Sequence, residues 1–442
     1  MCVRCIGDIQ QVCHFGDIHL KCRMVRILII SDIHLWSLPG EHDQYYPIRR
    51  KMLDDINDYA EAQGCINHIL ISGDIANKGD KAEYEKARSF IKELCIRCQC
   101  PEHEVYVVPG NHDKNFNAPH CGIRHLIHAG LSNDTADADT HLCDILQNDI
   151  ESANLLYAPF KEYHTFASTF DSIEPLMAKC LDEKDKLYDS LTHKMYVKYP
   201  LSQVGEYQIN LYGINSALIS DWYDIDDNNK GHKLFVPKLA YNIDAPVEGS
   251  INILMMHHPL SRIKKGSEIQ EVLDRKFQIQ IFGHLHKPAS DDNNAVHILS
   301  GAFQPPADGD KSEYFSVYNI LELEKGESDS LNVQLYVEKY NKDTFEHLDQ
   351  ESKIFKVKLK KRHPNRWLTK KEGAKMETLN LPDGVTLREV RFTFLQSPKV
   401  VKIMKDFGIY DSNMSLSANS VHFLKTMEET NRLSELWKKL KE

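Results

Sequence analysis

The sequence predicts an α/β protein built on a sheet with parallel pairing. Two observations carry this. The first 115 residues alternate strand, helix, strand, helix, strand, and each of those strands ends at a turn rich in Asp, His, Asn and Gly. Residues 25–30 (VRILII) form an uninterrupted β-branched run, the pattern of a strand buried on both faces. A helical pattern follows over 48–62. Residues 68–72 (HILIS) are the second strand and run into Gly73-Asp74. Asp80 and Glu83 read as a capping box opening a helix to Cys95, with an apolar stripe of Tyr84, Ala87, Ile91, Leu94 and Cys95. Residues 104–108 are the third strand and end in Pro-Gly-Asn-His-Asp.

From about 115 to 203 the pattern turns helical and His-rich without a strong strand, which reads as an insertion over one rim of the sheet. Strands return at 208–212, 251–256, 277–282, 297–299 and 315–321, separated by Gly, Pro, Asn and Asp clusters. After 324 the composition shifts. Val333, Leu335 and Val337 alternate with polar residues, as do Phe355, Val357 and Leu359 against Lys356, Lys358 and Lys360. An amphipathic helix with Leu433, Leu436, Trp437 and Leu440 closes the chain and is expected to dock on the body. The expected division is an N-terminal extension at 1–23, a catalytic domain at 24–324 and a β-rich or mixed appendage at 325–442. Residues 1–23 lack the apolar core of a signal peptide, and the strand pattern begins at Met24, an alternative start.

Composition narrows the function classes. With 42% hydrophobic and 27% charged residues the chain is ordinary for a globular protein, and no apolar run approaches the ~20 residues that span a bilayer. A net charge of -10 argues against a surface that coats nucleic acid throughout, while leaving room for a local basic site. All eleven cysteines precede residue 181, an odd and lopsided set that fits reduced thiols and a cytoplasmic setting better than a disulfide framework. Cys2 and Cys5 form a CxxC, but Cys13 and Cys22 offer no matching pair for a zinc site.

The chemistry concentrates at strand ends: Asp32-Ile33-His34, Gly73-Asp74, Gly110-Asn111-His112-Asp113, His257-His258-Pro259 and Gly283-His284-Leu285-His286. In open α/β sheets, sites form in the crevice beyond those ends. Residues two apart in an extended segment face one side, so Asp32 with His34, and His284 with His286, each offer two ligands to one place. Imidazole and carboxylate together select manganese, iron or zinc over calcium. Asp74 is placed to bridge two cations, and such a pair acidifies a bound water and neutralises phosphate oxygens. DxH alone is a weak signal: Asp17-Ile18-His19 matches it too, but follows a poor strand. The whole set in this order is specific.

This set resembles the calcineurin-like metallophosphoesterase superfamily over roughly residues 25–320. The resemblance implies a four-layer α/β/β/α sandwich of two mixed sheets, with the site along one edge. It also implies two divalent metal ions, manganese first and iron or zinc otherwise. Carried over by position, Asp32, His34 and His286 hold the first metal, Asp74 bridges, and Asn111, His257 and His284 complete the second. His112 contacts the substrate phosphate and the leaving oxygen. His258 and Asp113 take supporting roles. Where many members carry an aspartate three residues after the bridge, this chain has Asn77. Its amide is expected to accept a hydrogen bond from His112 without adding charge, unless Asp80 substitutes.

The reaction class implied is phosphoester hydrolysis, with a phosphodiesterase acting on a small molecule or nucleotide as the first reading. Phosphoprotein phosphatase patterns (GDxxDRG, GNHE) are not met. A nuclease resembling repair exonucleases is the alternative, supported by the stretch from Lys353 to Lys371, which holds nine Lys/Arg, no acid and Trp367. Lysines on a solvated edge strand explain that stretch equally. A second alternative is a non-catalytic scaffold on the same fold. Neither a membrane partner nor an oligomeric state is signalled.

Overall fold

A computed structural model describes residues 24–36, 43, 45–118, 120–133, 137–180, 194–221, 233–304, 315–361, 379–412, 414 and 416–442. The N-terminal extension at 1–23, most of 220–233, and the 362–371 half of the basic stretch with Trp367 lie outside them.

Two mixed sheets pack face to face. The first holds β1 (Met24–Ile30), β2 (His68–Ile71), β3 (Val105–Val107), β10 (Val317–Lys325), β11 (Ser330–Asn341), β12 (Thr344–His347) and β13 (Lys353–Lys358), in the order β12-β11-β10-β1-β2-β3 with β13 also on β11. The second holds β4 (Tyr196–Val204), β5 (Tyr207–Ile214), β6 (Ser250–Met256), β7 (Ile279–Phe282), β8 (Pro288–Asp291) and β9 (Val296–Ser300), in the order β4-β5-β6-β7-β9-β8. β1, β2 and β3 run parallel, as do β5, β6, β7 and β9; antiparallel strands flank both groups.

Period-two alternation explains the layering. Val25, Ile27 and Ile29 face Ile251, Ile253 and Met255 in the core between the sheets. Leu28 and Ile30 face outward to Met52, Leu53 and Ile56 of α1 (Tyr46–Gln63) and to Ala87, Ile91 and Leu94 of α2 (Lys81–Cys98). On the far side Leu254 and Met256 belong with Ala240 of α8 (Lys238–Tyr241) and with Ile269 and Leu273 of α9 (Gly266–Asp274). The result is the four-layer α/β/β/α sandwich expected from the resemblance.

The insertion contains α3 (Cys121–Asn133), α4 (Ala138–Asn148), α5 (Ile150–Tyr157), α6 (Lys161–Ser168) and α7 (Pro175–Cys180). It joins the outer core through Tyr84, which stacks on Phe166 at 5.0 Å. A strand that sequence reading missed, β4, begins within the range expected to be helical. Pro200 interrupts its pattern, and its register against β5 shifts between Pro200 and Gln203, the bulge by which an edge strand tolerates proline.

The strands expected in an appendage from 325 pair into the first sheet instead: β11 zips to β10 from Leu331 to Lys339. Their alternation is that of a sheet with one buried face, which puts Leu331, Val333, Leu335 and Val337 into the core between the sheets. Helices then replace strands. α10 (Leu387–Gln396), α11 (Val400–Asp406), α12 (Leu416–Glu429) and α13 (Leu433–Lys441) enclose a core of their own with Phe394, Met404, Phe423, Leu433 and Leu436. The closing helix thus docks on its helical neighbours. The unit grips the body through Arg388, whose guanidinium donates to the carbonyls of Val105 (2.7 Å), Phe170 (2.8 Å) and His103 and lies 3.8 Å from the Tyr106 ring centre. It therefore covers the open edge of β3. Arg391 pairs with Asp171 at 2.7 Å. Among the described residues no helix is long and apolar enough to cross a membrane.

Arg388→Ala removes charged hydrogen bonds to three backbone carbonyls, and should cost about 2–3 kcal/mol in chemical denaturation; an unchanged midpoint would show that the helical unit does not depend on this grip. Glu174, between the insertion and β3, accepts a hydrogen bond from the Tyr157 hydroxyl at 3.2 Å, and burial pushes its carboxyl up to about 8. The folded chain then keeps a proton that the unfolded chain releases near the ordinary glutamate value. Stability should fall as pH rises from about 4.5 to about 8 and level off above. Glu174→Gln should lose this slope, gaining thermal stability over the parent at pH 8.5 and little at pH 5.

Candidate metal centre

Five strand-end segments converge at one edge of the sandwich. The segment after β1 lies beside the segment after β2, bonded by Asp32 N–H to Gly73 O (3.0 Å), His34 N–H to Asp74 O (2.9 Å) and Leu35 N–H to Ile75 O (2.9 Å). On its other side Phe303 and Gln304, just past β9, donate to Ser31 O and Asp32 O. The backbone between is not extended. Asp32, His34, Asp74, His284 and His286 all stand at positive φ, between 43° and 69°. Left-handed non-glycine residues cost roughly 1 kcal/mol or more each and persist where the surroundings over-determine them. The pairs two apart thus converge through left-handed turns rather than along a strand. Two glycines make room: a Cβ on Gly110 would sit 2.1 Å from Asp74 Oδ1, and one on Gly73, at φ 99°, 2.6 Å from His257 Nδ1.

The convergence brings together the residues named from sequence. His286 Nε2 lies 3.1 Å from Asp32 Oδ1, and His34 Nε2 is 3.8 Å from the same oxygen and 3.9 Å from Asp74 Oδ2. His257 Nε2 is 3.1 Å from Asp74 Oδ2. Donor atoms of Asp32, His34 and His286 fall within 4.8 Å of one another, as do those of Asp32, Asp74 and His257, of His34, Asp74 and His112, and of His257, His258 and His284. Asn111, next in the chain to His112, is buried.

Each carboxylate divides its oxygens. Asp32 Oδ2 accepts from Ser31 Oγ (2.5 Å) and His284 N–H (3.1 Å), and Asp74 Oδ1 accepts from His112 N–H (2.8 Å). The other oxygens have no hydrogen-bond partner among the described residues, and neither do His34 Nε2, His257 Nε2 or Asn111 Oδ1, all buried. Unpaired buried polar atoms are rare and costly. Here they are gathered, and their types are those that bind divalent transition metals, so the residues fit a metal. His257 is oriented for that task by Nδ1–H donating to Ser72 O at 2.9 Å, which leaves Nε2 toward Asp74.

Electrostatics agree. Burial works against charge on Asp32 and Asp74, but His257 outweighs it, helped by His286 at Asp32 and by His112 at Asp74, so both carboxyls stay below the usual range. Burial likewise opposes charge on His257, yet Asp74 and Asp32 hold that imidazole up at about 9. Burial together with neighbouring imidazoles pushes His34 and His284 well down. Two buried carboxylates thus draw positive charge to this edge.

The supporting shell corrects one expectation. His112 Nδ1 bonds the backbone carbonyl of Asn77 at 2.8 Å, not an amide side chain. A carbonyl is available from any residue at 77, so the departure from aspartate there does not itself leave His112 unoriented. The loop is held by Glu83, whose carboxylate accepts from the N–H groups of Asn77, Lys78 and Asp80. Asp80 caps α2 and does not substitute at His112. Asp113 accepts from the N–H groups of Ile75, Ala76 and Gly110 and from the Tyr84 hydroxyl, binding the loops after β2 and β3 together. Sequence reading also missed Gln304, which donates to His34 O at 2.8 Å and accepts from Arg49 at 2.8 Å. Its signal was available: it too sits just past a strand end. Ser216, which contacts His258 from beyond β5, carried none.

The family model described as calcineurin-like phosphoesterase matches residues 25–288. An uncharacterized metallophosphoesterase-like protein YydB of Bacillus subtilis (strain 168) is 25% identical over 298 residues, which cover 63% of this chain and 53% of that protein. The chain thus spans about half the length of that relative. Among solved structures, purple acid phosphatase PPD1 from yellow lupin (Lupinus luteus) aligns at 11% identity and a TM-score of 0.38 over 78% of this chain and 55% of that one. TT1561 of Thermus thermophilus aligns at 11% identity and a TM-score of 0.29 over 67% and 94%. The family match covers more than half of the chain and spans the five converging segments, though not Phe303 and Gln304, and the protein belongs to the calcineurin-like phosphoesterase family.

Proposed function

We propose that this protein is a metal-dependent hydrolase of phosphoester bonds, acting on phosphodiesters with two divalent cations. In this reading Asp32, His34 and His286 hold the first cation, Asn111, His257 and His284 the second, and Asp74 stands between them. The observation that carries the reading is the gathering of buried carboxylate, imidazole and amide donors at one sheet edge, turned toward one another and not toward the surrounding fold. Bound there, two cations supply a more acidic water and neutralise charge on the phosphoryl oxygens.

The chain's own residues do the rest. His112 lies with its ring 4.6 Å from that of His34 and Nδ1 held by Asn77 O, so Nε2 is the nitrogen left to meet a leaving oxygen. His284 and His286 are only half-buried, which puts the mouth of the site on their side. Nearby cationic side chains are engaged in the fold. Lys114 donates to the carbonyls of Ala217, Leu218 and Ser220, and Arg49 is bound to Gln304 and Asp43. A diester carries one negative charge fewer than an ionised monoester and asks less of such groups, which supports the diester reading.

The nuclease reading ranks second. Within the basic stretch, Lys353 donates to Ser290 O and Lys361 pairs with Asp329, while Lys356, Lys358 and Lys360 are exposed. That strand pairs with β11, three strand spacings or roughly 14 Å from β1. The scaffold reading predicts a chain that takes up no metal.

Chelation with EDTA should abolish hydrolysis and Mn²⁺ should restore it. Asp74→Ala should lose both metal and activity. His112→Ala should lower turnover by about 10²–10⁴ with metal content retained; metal loss in that variant would contradict its role. Across a panel with Mn²⁺, bis-p-nitrophenyl phosphate should exceed p-nitrophenyl phosphate in kcat/KM. Preference for the monoester would overturn the diester assignment, and salt-sensitive cleavage of single- or double-stranded DNA or RNA would favour the nuclease.

A further inference from the structure

His258 follows His257 directly, and the donor sets proposed above give it no task. Its surroundings are unusual for a supporting residue. The side chain is buried at 1% exposure. Ser216 Oγ lies 3.0 Å from its Nδ1 and accepts its backbone N–H, also at 3.0 Å, so one hydroxyl sets both ring and backbone. Nε2 then has no hydrogen-bond partner among the described residues. The ring centre is 4.8 Å from that of His257 and 4.5 Å from that of His284, and one donor atom of each of the three lies within 4.8 Å of the others.

An imidazole nitrogen left unpaired in the interior costs about 1–3 kcal/mol. Around this edge, Asp32 Oδ1, His34 Nε2, Asp74 Oδ2, Asn111 Oδ1 and His257 Nε2 share that condition, and all belong to residues proposed to hold cations. His128 and His164 also bury an Nε2 without a hydrogen-bond partner among the described residues, but neither joins a cluster of possible metal donors, and His258 does. His258 engages Nδ1 with Ser216, and its ring packs against two residues of the second donor set.

We infer that His258 is a further protein ligand of the second cation, through Nε2, with Ser216 as the residue that positions it. This rests on the two-cation reading proposed above. It makes the two sites unlike. The first offers imidazoles and carboxylates in balance, and the second three imidazoles with one carboxylate and one amide. Imidazole suits zinc, iron and cobalt better than manganese. The second site then selects a nitrogen-preferring ion.

The test is metal titration of the full-length chain after chelation. Co²⁺ binding is followed by calorimetry and by visible absorption, and Mn²⁺ and Zn²⁺ are compared by calorimetry. The parent should take two equivalents, one of them favouring Zn²⁺ over Mn²⁺. His258→Ala should weaken that step at least about tenfold and change the Co²⁺ band, leaving the other step alone. Ser216→Ala should weaken the same step less. Where the alanine variant does not fold, His258→Gln replaces nitrogen by amide at similar volume and should show the same band change. Two equivalents bound by His258→Ala with parental affinities and spectrum would overturn the inference alone. A parent that takes fewer than two would overturn the two-cation reading and this inference with it.

Discussion

Two carboxylates, Asp32 and Asp74, are buried side by side at the edge of the sandwich, at 0% and 1% exposure. Isolated charges in such a place are prohibitively costly unless paired or coordinated. Much of the local structure answers that constraint. One oxygen of each carboxylate is satisfied by hydroxyl or backbone N–H donors, which fixes its rotation. The other is kept free of hydrogen bonds and turned toward imidazoles from four different strand ends. The left-handed backbone at five positions is the geometric consequence, since no extended segment delivers a side chain back over its own strand end. The strain is tolerated because parallel strands buried on both faces give the turns a rigid base.

Three connections lock the loops that carry the site to the layers around it. Asp113 ties the loops after β2 and β3 to each other and, through Tyr84, to α2. Lys114, the next residue, is fully buried and reaches across to three carbonyls beyond β5, immediately after Ser216 and hence beside the partner of His258. Gln304 and Arg49 tie the Asp32–His34 turn to β9 and α1. Most of these bonds join residues far apart in sequence, so the geometry of the site is set by the packing of the sandwich and not by the loops alone.

The residues gathered at the site were legible because each combines a chemically distinctive type with a place just after an apolar strand. The parallel core was legible because its runs are continuous. The supporting shell was largely hidden. A backbone carbonyl such as that of Asn77 has no letter in a sequence, which is why an amide side chain stood in for it in the reading of His112. Ser216, Arg49 and Gln304 act at separations of 42, 255 and 270 residues from the groups they contact, which no local pattern reports. β4 was obscured by Pro200. Beyond 324 the alternation of β11 and β13 was visible, but not that their apolar faces complete the core between the sheets. The closing helix showed its stripe, and only the three-dimensional core shows that α10 and α12 receive it.

The proposed function leaves selectivity to groups away from these donors. Apart from His284 and His286, the proposed donor residues are almost fully buried and constrained from several directions, which leaves them little freedom to distinguish one phosphoester from another. The half-buried rim is different. His284 and His286 open to solvent on one side, and the Trp36–Tyr45 aromatic pair, with ring centres 6.0 Å apart, belongs to the segment leading into α1. Lys114 links the donor loop to the segment beyond β5, and that segment carries Asp221, which joins His125 and His128 of the insertion at 3.0 Å each. The insertion is thus hydrogen-bonded to the segment that also carries Ser216, the partner of His258. The proposed function thus assigns the reaction to the buried carboxylate pair and leaves substrate choice to the inserted helices and the rim.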